Sequence, residues 1–239
     1  MKQLLTPSFF LILLLSCSDP QPRVVYDNTS DTFEDQILID TSAIALAGLP
    51  IHFDSTTFLI HPIGQYTPEE RGSKIYLGSS SAGSSGLAFA YRSGNSISGN
   101  LDNLKFQHID SAELLPLTDN QLKIRSFTFF RSAFHASKKE TLIYTVTDKD
   151  SNKDKKLDDR DIESLYISSI DGQNFRKLSP DSHELVEWKV MEIQDRIYFI
   201  TSEDIDKNGE FDQSDQLHYY YLDLKSDSMD VVEYNPINN

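Results

Sequence analysis

Two stretches decide how this chain is read: LIYTVTDKDSNKDKKLDDRD, residues 142–161, and RIYFITSEDIDKNGEFDQSD, residues 196–215. They superimpose at an offset of 54 residues: Ile143-Tyr144 falls on Ile197-Tyr198, Val146 on Ile200, Thr147 on Thr201, Leu157 on Phe211 and Asp161 on Asp215. The openings LIYTVT and RIYFIT alternate and are rich in β-branched and aromatic residues, which predicts strands and not helices. A second apolar run follows each acidic stretch, SLYISSID (164–171) and LHYYYLDL (217–224), and then a shorter one, FRKLSP (175–180) and DVVEYNP (230–236). FTFF (127–130) and VEWKVMEI (186–193) stand ahead as first strands. Each unit thus reads as strand, strand, acidic loop, strand, short strand.

A weaker third copy lies upstream. KIYLGSS (74–80) stands for the strand before the loop, and LKFQHID (104–110) with LLPLTD (114–119) for the pair after it. The connector there is Ser/Gly-rich, GSSSAGSSG (78–86), followed by GLAFAY and SGNSISGN. Residues 36–64, QILIDTSAIALAGLPIHFDSTTFLIHPIG, hold strands for a fourth unit. One small four-stranded sheet cannot bury both faces alone, so such units stack. LYISSIDGQNFRKLSP resembles the blade signature of Tol-Pal-type β-propeller repeats, with Ile170-Asp171-Gly172 as the tight hairpin turn between outer strands. The expected fold is all-β: a partial or small β-propeller-like repeat of four-stranded units, with a closed four-bladed ring, an open partial propeller and a β-sandwich as alternatives.

The acidic loops carry the chemistry. Calcium takes six to eight oxygens, and a twelve-residue EF-type loop supplies them from positions 1, 3, 5, 7, 9 and 12. In the loop at 204–215 these are Asp204, Asp206, Asn208, the Glu210 carbonyl, Asp212 and Asp215, with Gly209 at the sharp bend of position 6 and Phe211 at the apolar position 8. In the loop at 150–161 they are Asp150, Asn152, Asp154, the Lys156 carbonyl, Asp158 and Asp161, with Leu157 at position 8. Starting that loop at Asp148 would put Lys155 at position 8, so the apolar residue and the 54-residue repeat select the same register. Lys155 replaces glycine at position 6, where a left-handed backbone costs a side-chain-bearing residue about 1 kcal/mol. Both loops end in Asp, not the bidentate Glu of regulatory EF-hands, and in this they resemble the dockerin-type variant. The flanks are strands, which cannot reorient as a sensor's helix pair does; DDRDIE and DQSD supply at most one helical turn. Two structural Ca2+ ions are therefore expected.

The start of the chain reads as a processing segment. Lys2 and the apolar run Phe9–Leu15 have the form of a signal peptide, too short to span a bilayer, and LLSC at 14–17 resembles the bacterial lipobox, which implies cleavage before Cys17 and its lipidation. Cys17 is the only cysteine in the chain, so it has no disulfide partner. Acyl chains hold a protein to a membrane at roughly 0.8 kcal/mol per buried CH₂. Ser18 in place of Asp points, by the same resemblance, to the outer membrane, periplasmic or surface face. Residues 1–16 are thus the signal, 17–34 a Pro/Asp/Ser/Thr-rich tether, and 35–239 the β-repeat domain.

A net charge of -15 repels nucleic acid. Six histidines are scattered without HxH or HExxH spacing, no CxxC occurs, and GxSxG and phosphate-binding glycine motifs are absent. The expectation is a non-catalytic, calcium-binding, lipid-anchored cell-envelope protein with a surface for a protein or glycan partner. A calcium-stabilised envelope hydrolase with a loop-built active site is the alternative.

Overall fold

The computed structural model describes residues 22–26, 37–38, 41, 43–66, 89–91, 95–131 and 139–237. The signal segment, Cys17, KIYLGSS and GSSSAGSSG lie outside the described residues. Fifteen strands follow in chain order: β1 (Ile44–Ala47), β2 (Ile51–His52), β3 (Phe58–Tyr66), β4 (Phe89–Tyr91), β5 (Ser96–Leu101), β6 (Asn103–His108), β7 (Leu115–Pro116), β8 (Lys123–Arg131), β9 (Glu140–Thr147), β10 (Ser164–Ser169), β11 (Arg176–Lys177), β12 (His183–Met191), β13 (Arg196–Glu203), β14 (Gln216–Asp223) and β15 (Val231–Tyr234). The protein is all-β; among the described residues the one departure is a 3₁₀ turn at Glu192–Gln194.

They form three antiparallel sheets. A first sheet runs β1-β3-β6-β7 with β2 also on β3, a middle sheet runs β11-β10-β9-β8-β5-β4, and a third runs β12-β13-β14-β15. The twin units emerge as read: β8-β9-loop-β10-β11 and β12-β13-loop-β14-β15 are consecutive meanders, with the acidic loops joining β9 to β10 and β13 to β14.

Upstream the expectation needs correction. Most of SGNSISGN is strand: residues 96–101 are β5, which pairs with β8 and widens the middle sheet. The strands from LKFQHID and LLPLTD do not make a unit of their own. β6 pairs with β3 and β7 with β6, so the stretches assigned to a third and a fourth unit share one sheet. The chain passes from β5 in the middle sheet to β6 in the first sheet through a single residue, Asp102, whose carboxylate is held by Lys123. The β10–β11 connection is also longer than a tight turn and spans 170–175. Its first bend is closed by the Gly172 amide donating to the Ser169 carbonyl at 2.9 Å. Gly172 sits at φ 81°, and a Cβ there would lie 2.4 Å from the Phe106 ring of the first sheet.

The sheets stack face to face around two cores. Ile60, Leu104 and Phe106 of the first sheet meet Ile97, Phe127, Leu142, Tyr144 and Val146 of the middle one. On the other side of the middle sheet, Ile143, Leu165 and Ile167 meet Ile197, Phe199, Tyr220 and Leu222 of the third. Strand β9 therefore serves both cores through the period-2 alternation of its side chains. The Tyr144 hydroxyl, fully buried, is paired with Ser168 Oγ at 2.6 Å. Among the described residues the first and third sheets contribute to separate cores, so they stand at opposite sides of the stack with no ring closure between them.

Leu142→Ala and Ile143→Ala empty opposite faces of one strand. Each is expected to lower unfolding stability by about 2–5 kcal/mol in urea titrations, whereas Leu217→Ala, on an exposed position of β14, changes it by less than about 0.5 kcal/mol.

Candidate metal centre

In both loops carboxylates and amides fold the backbone by accepting its N–H groups, and the two networks match position for position. Asp150 takes the amides of Asp154 (3.2 Å) and Lys155 (2.7 Å), and Asp204 takes those of Asn208 (3.2 Å) and Gly209 (2.8 Å). Asn152 Oδ1 accepts from Asp154, and Asp206 Oδ1 from Asn208. Asp154 Oδ1 accepts from Lys156, and Asn208 Oδ1 from Glu210. Asp158 caps Arg160, and Asp212 caps Ser214. The closing residues Asp161 and Asp215 each reach back to the start of their loop, to the amides of Ser151 (2.8 Å) and Ile205 (3.2 Å), and also bind the amides of Asp158 and Asp212.

The same backbone bends accompany this network. Positions 4 and 6 are left-handed in both loops: Lys153 (φ 59°) and Lys155 (φ 67°), Lys207 (φ 57°) and Gly209 (φ 84°). Lys155 thus bears the strain expected of a non-glycine residue there. Position 8 is buried in the first loop, where Leu157 is 9 % exposed, and half-buried in the second, where Phe211 lies under the Arg23 guanidinium, 5.9 Å from the ring centroid. DDRDIE and DQSD form turns, not helix.

The loops differ in what their carboxylates face. In the second, Asp204, Asp206 and Asp215 each offer an oxygen, all within 4.8 Å of one another, and Asp204 is buried. Ligands on opposite sides of a calcium ion, each about 2.3–2.6 Å from it, are about 5 Å apart, so this cluster fits a divalent cation. Among the described residues no other three acidic or histidine groups converge so closely. In the first loop the Arg160 guanidinium lies between Asp154 and Asp158, 2.9 Å from Asp158 Oδ2, and holds the Asp158 carboxyl below its usual range. Burial drives the Asp161 carboxyl the other way, up, against the backbone amides that it accepts. The second loop has Ser214 where the first has Arg160. Position 11 is outside the ligand rhythm, so spacing gave no warning of this internal cation.

A second contributor is also absent from the ligand rhythm. Within the stretch read as tether, residues 22–26 lie across both loops. Arg23 N and Val24 N donate to the Gly209 carbonyl at 2.7 and 3.0 Å, and Val25 N donates to the Ser151 carbonyl at 2.9 Å. Ser151 Oγ donates to the Arg23 carbonyl, and Arg23 Nη2 to the Asp161 carbonyl, each at 2.7 Å. The Arg23 guanidinium also pairs with Glu184 at 2.8 Å, which offsets part of the burial that raises that carboxyl. Burial and a hydrogen bond to Asp204 push the Tyr26 phenol up to about 12. Leu38 N adds a bond to the Lys155 carbonyl, leaving the Lys156 carbonyl as the one the ligand rhythm requires.

Away from the loops, the outer face of the third sheet is aromatic. Tyr198, Tyr219, Tyr221 and Tyr234 pack edge-to-face or tilted, with centroids 5.7–6.3 Å apart, and Arg196 lies 4.6 Å over Tyr221. A groove of about 430 Å³ runs there, walled by Trp188, Met191, Tyr198, Tyr219, Tyr234 and Pro236. Histidines are drawn together too: the His183 and His218 rings are 5.1 Å apart, but both nitrogens of His218 are bonded, to Glu203 (3.0 Å) and Glu233 (2.8 Å). A larger groove of about 950 Å³ beside the β10–β11 hairpin holds Asp148, already bonded to Tyr166 and Lys177. No protein-family profile matches the chain, and no curated protein matches it.

A Cβ at Gly209 would stand 2.4 Å from the Val24 carbonyl oxygen. Gly209→Ala should therefore release residues 22–26, seen as lost hydrogen-exchange protection at Arg23, Val24 and Val25 while β13 and β14 stay protected. Lys155→Gly removes left-handed strain with no such neighbour and should gain up to about 1 kcal/mol in a denaturant melt.

Proposed function

We propose that this is a calcium-binding, non-catalytic lipoprotein of the bacterial outer membrane, anchored through Cys17, in which structural Ca2+ braces the hairpin connectors of two blade-like units. The observation that supports it most directly is the pair of matching networks, one of which brings Asp204, Asp206 and Asp215 to a single point. In the second loop the ion is held by these residues, Asn208, Asp212 and the Glu210 carbonyl. In the first it is held by Asp150, Asn152, Asp154, Asp158, Asp161 and the Lys156 carbonyl, after Arg160, which is exposed, swings out to water. The ion neutralises carboxylates that the fold crowds together. Because strands flank both loops, binding stiffens the connectors and opens nothing.

The partner surface is the tyrosine face of the third sheet. Tyr198 and Ile200 stand 54 residues after Tyr144 and Val146, which the first sheet covers in the middle unit. The β12–β15 unit presents the same row uncovered, as an open partial propeller does, and aromatic surface of this kind suits a protein or a glycan.

A thermal melt with calcium and with EGTA tests the proposal. Calcium at a hundredfold excess over Kd should add about 2.7 kcal/mol per site, and Asp204→Ala should remove most of that gain. A melting temperature indifferent to calcium, EGTA and Asp204→Ala alike would sink it. In calorimetric titration the wild type should show one tight and one weak site, and Arg160→Ser should tighten the weak one.

A further inference from the structure

We infer that the end of the sheet stack carrying the two acidic loops faces the lipid surface. This rests on the reading of Cys17 as the lipid anchor, and it adds an orientation that the anchor alone does not fix. Five Cα-to-Cα steps separate Cys17 from Pro22, a reach of at most about 18 Å. From Pro22 to Tyr26 the chain lies on the loop end. The amides of Arg23, Val24 and Val25 and the carbonyl of Arg23 all bond to Gly209 or Ser151, and the Arg23 side chain spans from the Asp161 carbonyl to Glu184. Val24 is buried in this contact. A tether fixed at both of its ends, one in acyl chains and one on Gly209 and Ser151, cannot let the domain turn over.

The opposite end of the third sheet is farther by the length of β13, eight residues or about 26 Å. There the 3₁₀ turn exposes Ile193. The short bound tether, and not charge, sets this orientation. Residues 150–161 carry five acids against four bases, with Lys155 and Lys156 exposed and Arg160 paired to Asp154 and Asp158, so this loop is nearly neutral. Residues 204–215 carry five acids against one lysine, and a divalent ion at Asp204, Asp206 and Asp215 halves that excess of negative charge.

The test uses the full-length lipidated protein in phosphatidylethanolamine/phosphatidylglycerol vesicles with calcium. A fluorophore is placed by Gln213→Cys on the loop end or by Ile193→Cys on the far end, and nitroxide lipids labelled at the headgroup act as quencher. The label at 213 should be quenched several-fold more strongly than the label at 193, and Gly209→Ala should narrow that difference while the protein still floats with the vesicles. Equal quenching at both positions, or stronger quenching at 193, in protein that floats would overturn the orientation. Wild type that fails to float, or Cys17→Ala that floats as well, would instead overturn the anchor reading on which it stands.

Discussion

Everything in this molecule hangs on a strand that has no solvent side. Seven of the eight residues of β9 are buried, with Leu142, Tyr144 and Val146 given to one core and Ile143 to the other. A strand so enclosed can leave the interior only at its ends, and its C-terminal end opens directly into the first acidic loop. The loop must turn the chain back as β10 without burying unpaired amides. It does so with carboxylates, because a short side chain with two acceptor oxygens can satisfy two N–H groups at once, as Asp150 and Asp204 both do. The consequence is electrostatic. Groups chosen for their hydrogen-bonding capacity crowd negative charge: the first loop sets its own arginine against it, and the second draws three carboxylates to within 4.8 Å of one another.

How much of this could be read from the chain alone follows from where each signal is written. The twin hairpins were legible because Asx-type backbone capture needs a particular residue at a particular step, so folding leaves its own trace at 150–161 and 204–215. The left-handed turn at Lys155 was legible for the same reason. Arg160 was not, since position 11 supplies no ligand and its identity is unconstrained by the rhythm. Nor was the docking of residues 22–26, which is made mostly by backbone amides and carbonyls that any residue carries. The composition of that stretch spoke for a tether while its main chain was tied down.

The upstream half failed for a different reason. Repeat reasoning assumes that each unit keeps its strands, and here β5 leaves its neighbours to widen the middle sheet while β6 and β7 join β3. Sheet membership is a matter of long-range pairing, and SISGNL carries too little apolar alternation to declare it. Tyr144 and Tyr198 illustrate the limit well. The same residue at the same place in two copies is fully buried in one and lies on the outer face in the other, because only one copy has a further sheet above it.

The single residue between β5 and β6 has a mechanical meaning. With Leu101 locked in the middle sheet and Asn103 in the first, Asp102 leaves no slack for one sheet to slide or hinge against the other. Any relative motion of more than about one residue's length, about 3.3 Å, must first break ladder bonds in β5 or β6. Those two sheets consequently move as one rigid block. Residues 178–182 link the middle sheet to the third, and there too the chain is held: the Leu178 amide donates to the Leu165 carbonyl at 2.7 Å and the Leu185 amide to the Glu163 carbonyl at 3.0 Å.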